Sequence, residues 1–152
     1  MEQILSEVDC DVSVLSAPAG WNLDNVDRIL VPIADRGGHD VLRARLLGSL
    51  CRAGDREVTF LRVLPKDAST KVIDKARLGL EQLCEEEALR FGKSEIVLSN
   101  DISGAIADAA GRSDLVVVGM RRVGRRQMVF GALVLRVART TLGATIIISR
   151  GH

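Results

Sequence analysis

Aromatic side chains are almost missing from this chain: one Trp and three Phe among 152 residues, and no Tyr. An interior of ordinary density must then be filled by Val, Leu, Ile and Ala. That usage suits a parallel sheet covered on both faces, whose strands favour Val and Ile. Charge of one sign is lacking too. The net charge is +1, which excludes bulk polyelectrolyte attraction and gives no reason to expect a nucleic-acid partner. Cysteine is sparse: Cys10, Cys51 and Cys84 are odd in number and far apart. They match no metal-ligand spacing and read as buried thiols of a reducing compartment. No apolar run approaches the roughly 20 residues that span a bilayer. The first residues have neither the basic nor the apolar region of a secretion signal. These absences point to a soluble cytoplasmic domain.

What is present is an alternation. Hydrophobic residues make up 47% and charged residues 27%, an ordinary globular balance in a chain long enough for a single core. Four short β-branched runs stand out: Ile29–Val31 closed by Pro32, Val58–Leu64 closed by Pro65, Leu115–Val118 ended by Gly119, and Thr145–Ile148. A weaker run covers Glu95–Ser99. Runs of this length and composition favour strands. The intervals carry helical spacing. Residues 40–50 place Val41, Leu42, Leu46 and Leu50 near one face, with Asp40 as N-cap. Residues 69–91 repeat apolar positions at Val72, Ile73, Ala76, Leu80, Leu83 and Phe91, and Gly92 falls where a C-terminal cap belongs. Ile102–Ala110 groups Ile102, Ala105, Ile106 and Ala109; Leu133–Thr141 turns Leu133, Val137 and Ala138 inward and Arg136 and Arg139 outward.

Five strands alternating with four helices predict an α/β domain: an open five-stranded parallel sheet of order 3-2-1-4-5 with helices on both faces. In such sheets ligands sit beyond the carboxyl ends of the strands where the winding reverses. Two loops would then form a crevice, residues 32–39 and residues 118–134. The second reads VGMRRVGRRQMVFGALV. Its arginines, Arg121, Arg122, Arg125 and Arg126, allow three readings: an anion site with forked guanidinium contacts, a solvated loop, or a patch against anionic lipid. Gly37 and Gly38 serve either a close ligand approach or a turn. His39 has no Ser or Cys partner and reads as structural or solvated. Asn100 and Asp101 either face a ligand or form a turn and helix cap. Glu85, Glu86 and Glu87 read as a solvated helix face.

Several stretches together resemble the universal stress protein family: RILVPIADRGGHDVLRARLL, VTFLRVL, NDISGAIADAAGRSDLVVVGMRR and VFGALVLRVARTTLGATIIISR. The resemblance runs from about Asp27 to Arg150. It implies the same α/β fold, binding of ATP, AMP or another phosphorylated small molecule with Mg2+ as an open question, and pairing of two copies through the last strand at Thr145, Ile146, Ile147 and Ile148. Carried over position by position, it implies nucleotide contacts at Pro32, Ala34, Asp35, Val63, Asp101, Gly119, Arg121, Arg122, Gly124, Gly131 and Ala132. Nucleotide-binding members carry a Gly, two residues, a Gly, nine residues, then Gly with Ser or Thr. Here the middle glycine is Arg122, the following spacer is one residue short, and Ala132 stands at the hydroxyl position. The family's acidic residue after the first strand falls on Ala34, with Asp35 beside it. Each departure removes a contact: glycine lets backbone N–H approach phosphate, and a hydroxyl donates to it.

Residues 1–26 read as an N-terminal extension or linker ahead of a domain at 27–152. Within them CDVSVL alternates like a short strand and resembles the closing strand of another such domain. The chain is expected to be a regulatory binding module and not an enzyme, because no positioned base or metal-binding acids stand near the phosphate loop. The alternative is a ligand-free dimerisation or interaction domain, including the cytoplasmic regulatory domain of a membrane transporter.

Overall fold

A computed structural model describes residues 11–33, 41–119, 122–123, 127–128, 136–139 and 143–149. Its strands are β1 (Val12–Ser16), β2 (Arg28–Pro32), β3 (Glu57–Leu64), β4 (Gly92–Leu98), β5 (Leu115–Gly119), the short pair β6 (Arg122–Val123) and β7 (Gln127–Met128), and β8 (Ala144–Ser149). The helices are α1 (Val41–Ala53), α2 (Thr70–Leu83) and α3 (Ile102–Gly111), and residues 136–139 are also helical. The main sheet runs β1-β8-β5-β2-β3-β4. Without β1 this is the expected order, five parallel strands with the reversal between β2 and β5. The sixth strand is a finding: β1 lies antiparallel on β8, from Val12 opposite Ser149 to Ser16 opposite Thr145.

The strand alternation sorts side chains onto two cores. Ile29, Val31, Val58, Phe60, Leu115 and Val117 face α1 and α2, meeting Leu47, Leu50 and Leu80. Leu30, Leu61, Val116, Val118 and Ile147 face the other way, onto Ile106, Ala109 and Ala110 of α3 and onto Val137. The chain thus lays its helices on one face while it winds outward and on the other when it returns. Phe60 is fully buried; the other fully enclosed residues of these cores are aliphatic apart from Cys84, with Trp21 and Cys51 packed half-buried against the first.

Several expectations about faces are corrected. In α1 the buried stripe is Arg43, Leu47 and Leu50, while Val41 is exposed. In α2 it is Ala76 and Leu80, with Val72 exposed. Ile102 is exposed at the start of α3. The expected long second helix ends at Leu83 and continues as a π-helical turn, Cys84–Ala88, and a 3-10 turn, Leu89–Phe91. Glu87 is not solvated. It is 6% exposed, and its carboxylate takes a forked pair from Arg43, Nε to Oε2 and Nη2 to Oε1, both 2.8 Å. Glu87 lies in the π turn at 84–88, seven residues after Leu80 and so on the helix stripe that Ala76 and Leu80 bury, and its carboxylate meets α1 there. Gly92 is no helix cap but the first residue of β4. A Cβ there would lie 2.9 Å from that of Cys84, so glycine lets the π turn pack onto the strand.

Residues 12–26 are part of the folded body. Val12 and Val14 pack on the α3-side core. Gly20, at φ +78, makes the bend after Pro18 that few other residues would adopt. Trp21, Leu23 and Val26 then enter the opposite core. The guanidinium of Arg56, 4% exposed, fastens this crossing: it donates to the carbonyls of Val26 (3.0 Å), Leu23 (3.1 Å) and Leu50. The edge at Thr145–Ile148, expected to be open for a second copy, is therefore occupied in cis by β1.

Candidate functional site

β2 and β5 lie side by side and parallel, with Ile29 opposite Leu115 and Leu30 opposite Val116. Their carboxyl tips, Pro32 and Gly119, consequently open at one place on the same pole. A chain that winds one way and then the other leaves no helix crossing over this junction. Gly119 is exposed, and a Cβ built on it meets nothing within 4 Å. A methyl group at the β5 tip would therefore meet no described neighbour. Ile33 donates its N–H to Leu61 O at 2.8 Å, which continues the ladder one residue beyond β2 before the loop departs. Val63, near the end of β3, is half-buried against the α3-side core.

The next strand tip forms the adjoining wall. Ser99 N–H donates to Leu64 O at 2.8 Å. Asn100 Oδ1 accepts from Lys66 N–H at 3.2 Å, tying the β3 and β4 loops together. Asp101 caps α3: its Oδ1 accepts from Gly104 N–H at 3.0 Å and from Ser103 Oγ at 3.3 Å. Arg136 closes the group. Its Nη1 donates to Ser103 Oγ at 2.7 Å and stands 3.7 Å from Asp101 Oδ1. Of the two readings for Asn100 and Asp101, the loop tie and the helix cap are what the structure contains. The carboxylate of Asp101 is solvated, and its cap and Arg136 contacts occupy Oδ1. The serine and arginine of this cluster were not singled out as site residues. The one signal available was Ser103 in the first turn of α3.

Beyond Gly119 the arginine loop folds back on itself. β6 and β7 pair antiparallel, Arg122 opposite Met128 and Val123 opposite Gln127. The chain does not pass directly from strand to helix as a phosphate loop of the simplest kind would; Arg122, standing at the lost glycine, belongs to a hairpin. Ala34, Asp35, Gly37, Gly38 and His39 lie outside the described residues, as do Arg121, Gly124, Arg125, Arg126, Gly131 and Ala132. The structure thus sets Pro32, Val63, Asp101 and Gly119 at the carboxyl pole of the main sheet.

A cleft of about 330 Å³ opens at the other pole, lined by Trp21, Asn22, Arg28, Ser113, Asp114 and Gly143 among others. It sits where strands begin, away from the crevice. Asp114 organises it. Oδ2 accepts from Asp27 N–H at 3.0 Å and Arg28 N–H at 2.9 Å, and its carbonyl accepts from Ala144 N–H at 3.1 Å. Among the described residues no group of three His, Cys, Asp or Glu is placed to hold a metal ion, and no helix is long and apolar enough to cross a membrane. Burial pushes the thiols of Cys51 and Cys84 up. At Cys51 the Arg56 charge opposes that shift, and at Cys84 Glu81 adds to it. Both shifts favour the neutral thiol.

No family model and no curated protein sequence matches this chain. Solved structures do. The universal stress protein from Archaeoglobus fulgidus in complex with dAMP superposes with a TM-score of 0.61 at 17% identity, covering 80% of this chain and 97% of that one. A universal stress protein in complex with cAMP gives 0.56 at 17%, covering 83% and 98%. A longer chain, a universal stress protein from Archaeoglobus fulgidus DSM 4304, gives 0.66 at 17% and covers 99% of this chain but 53% of its own length. At such identities the likeness is one of fold, and the fold of this chain is that of the universal stress proteins.

Proposed function

We propose that this chain is a universal stress protein-like regulatory module that binds an adenine nucleotide, or a related phosphorylated small molecule, in the crevice between the tips of β2 and β5. The observation that carries the reading is the parallel pairing of Ile29 with Leu115. It brings the tips Pro32 and Gly119 to one pole, where a Cβ on Gly119 would meet nothing within 4 Å. Relatives of this fold solved with dAMP and cAMP support the ligand class.

In this reading the base and ribose lie along Pro32, Ile33 and Val63, and the phosphates face the loop that follows Gly119. The loop departs from the family's glycine pattern, so backbone N–H contacts are fewer there. Guanidinium groups at Arg121 and Arg122 supply the compensating charge, as forked donors to phosphate oxygens. A monophosphate or cyclic monophosphate then fits better than ATP, because no hydroxyl stands at Ala132 and no carboxylate at Ala34 to serve the outer phosphates or their Mg2+. The module senses and does not hydrolyse.

Thermal unfolding with AMP, cAMP and ATP, each with and without Mg2+, tests this. A ligand that binds only the folded state raises the midpoint by mass action, and at 100 times its Kd adds about 2.7 kcal/mol. AMP or cAMP at millimolar concentration should raise the melting temperature, and Arg122→Ala should weaken that effect. Flat curves for every nucleotide would instead favour the ligand-free interaction domain. The occupation of the loop by the β6–β7 hairpin is the observation on that side.

A further inference from the structure

The cleft at the amino pole lies at the far end of the strands from the nucleotide crevice and takes no part in that reading. Its volume, about 330 Å³, stands at the small end of ligand pockets and suits a single metabolite unit. Its apolar wall comes from Trp21 and Val26. Val26 is buried, while the indole packs against the core beneath α1 and α2 and keeps part of its surface open.

Two opposite charges border this wall. Asp114 commits Oδ2 to the N–H groups of Asp27 and Arg28, and Oδ1 accepts no hydrogen bond among the described residues. The side chain of Arg28 is 59% exposed, and its Nε approaches Oδ2 only to 3.9 Å. An exposed pair at that distance holds its members weakly, so both remain available to a ligand. α3 ends at Gly111 on the same cleft, and the carbonyl end of a helix favours a cation beside it. A Cβ at Gly111 would meet nothing within 4 Å, and its φ lies outside the left-handed region. Neither packing nor backbone geometry requires glycine there; a side chain would take up open space beside the cleft.

We propose that this cleft binds a free α-amino acid with an aromatic or apolar side chain. The ammonium meets Asp114 Oδ1, the carboxylate meets the guanidinium of Arg28, and the side chain lies along Trp21, where an aromatic ring stacks on the indole. An α-amino acid carries its two charges on neighbouring atoms of one short unit, as the cleft carries their complements side by side. A ligand with one charge leaves one protein group unmatched. An adenine nucleotide would set its phosphate against Asp114 and the carbonyl end of α3, so the two poles select different chemistry.

The test is a fluorescence titration. Trp21 is the one tryptophan of a chain without tyrosine, so indole emission reports on this cleft alone. L-Phenylalanine at millimolar concentration should change the emission saturably. Phenethylamine, which lacks the carboxylate, and hydrocinnamate, which lacks the ammonium, should each bind roughly 10-fold more weakly, the worth of one charged contact. Arg28→Gln should weaken phenylalanine by a similar factor and leave phenethylamine unchanged. Asp114→Asn should weaken phenylalanine and leave hydrocinnamate unchanged. A general loosening of the fold would produce neither split. Gly111→Leu, whose side chain enters the cleft, should abolish the response while circular dichroism stays native; with Arg28→Gln it carries the test if Asp114→Asn does not fold. AMP should leave the emission unmoved, so failure at this pole leaves the nucleotide reading standing. Emission unmoved by phenylalanine would overturn the proposal. So would equal affinity for phenethylamine or hydrocinnamate, unchanged phenylalanine binding in folded Arg28→Gln, or AMP bound at Trp21.

Discussion

Ile29 and Leu115 are 1% and 0% exposed and stand opposite one another on parallel strands, although they are 86 residues apart in the chain. Everything between them, α1, β3, α2, β4 and α3, is a loop thrown out and back so that these two can meet. The crevice exists because of that meeting, and its walls are the ends of strands whose other residues are core. Substitutions deep in β2 or β5 should therefore disturb ligand binding only by unfolding the domain, while substitutions at the tips act on binding alone.

The buried pair Arg43 and Glu87 should show the asymmetry of an ion pair in a core. Glu87→Leu leaves a guanidinium without its fork and should cost about 3–5 kcal/mol. Arg43→Leu with Glu87→Leu removes both charges and should recover most of that loss, because apolar replacement of a buried pair is often neutral. Urea unfolding of the wild type, the single and the double variant measures it. Equal losses in single and double variants would contradict the buried-pair account.

Arg56 should be the residue that fixes residues 21–26 to the body. Arg56→Met leaves the carbonyls of Leu23, Val26 and Leu50 without that donor, at a cost of about 3 kcal/mol. Arg56→Lys keeps the charge but loses the fork and should recover only part. Hydrogen exchange at Val26 and Leu50 should accelerate in both variants; unchanged exchange would remove Arg56 from this role.

Asp101 should contribute as a cap. Asp101→Ala should lower stability by about 1 kcal/mol, the usual worth of a helix N-cap. A Cβ on Gly104 would collide with the Asp101 carboxylate, so Gly104→Ala should forfeit much of the same cap. If Asp101→Ala left stability unchanged and abolished nucleotide binding, its role would be ligand contact instead.

Cys51 and Cys84 should be slow to react. Their thiols are raised mainly by burial, so the folded state favours the protonated form. The sign follows: their contribution is complete below the unfolded thiol pKa, about 8.5, and fades as pH rises through the higher folded values. In a Cys10→Ser background, a disulfide reagent at pH 8 should label the denatured chain quickly and the native chain slowly. Rapid native labelling would contradict it.

The parallel core was legible because its strands are short β-branched runs separated by helical spacing, and a sheet of this kind has few allowed windings. β1 was legible as a strand, since Val12 and Val14 alternate with Ser13, but its pairing was not. Nothing in five residues tells an edge strand which neighbour it will meet. The Arg43–Glu87 pair was hidden by composition: three consecutive glutamates look like a solvated face, although Glu87, seven residues after Leu80, falls on the buried stripe of the helix while Glu85 and Glu86 do not. At the site, glycine and proline marked the tips of β2 and β5. The cap and its arginine were harder to see, because Ser103 and Arg136 are 33 residues apart and meet only when α3 and residues 136–139 share a face of the sheet.

The account depends most on the crevice, and a titration of 15N-labelled protein with AMP reads it directly. Amides of Ile33, Val63, Asn100 and Gly119 should shift progressively and together with one Kd, while those of Trp21, Ser113 and Asp114 at the opposite pole stay fixed. Shifts confined to the opposite pole, or a spectrum unmoved at millimolar AMP, would contradict it.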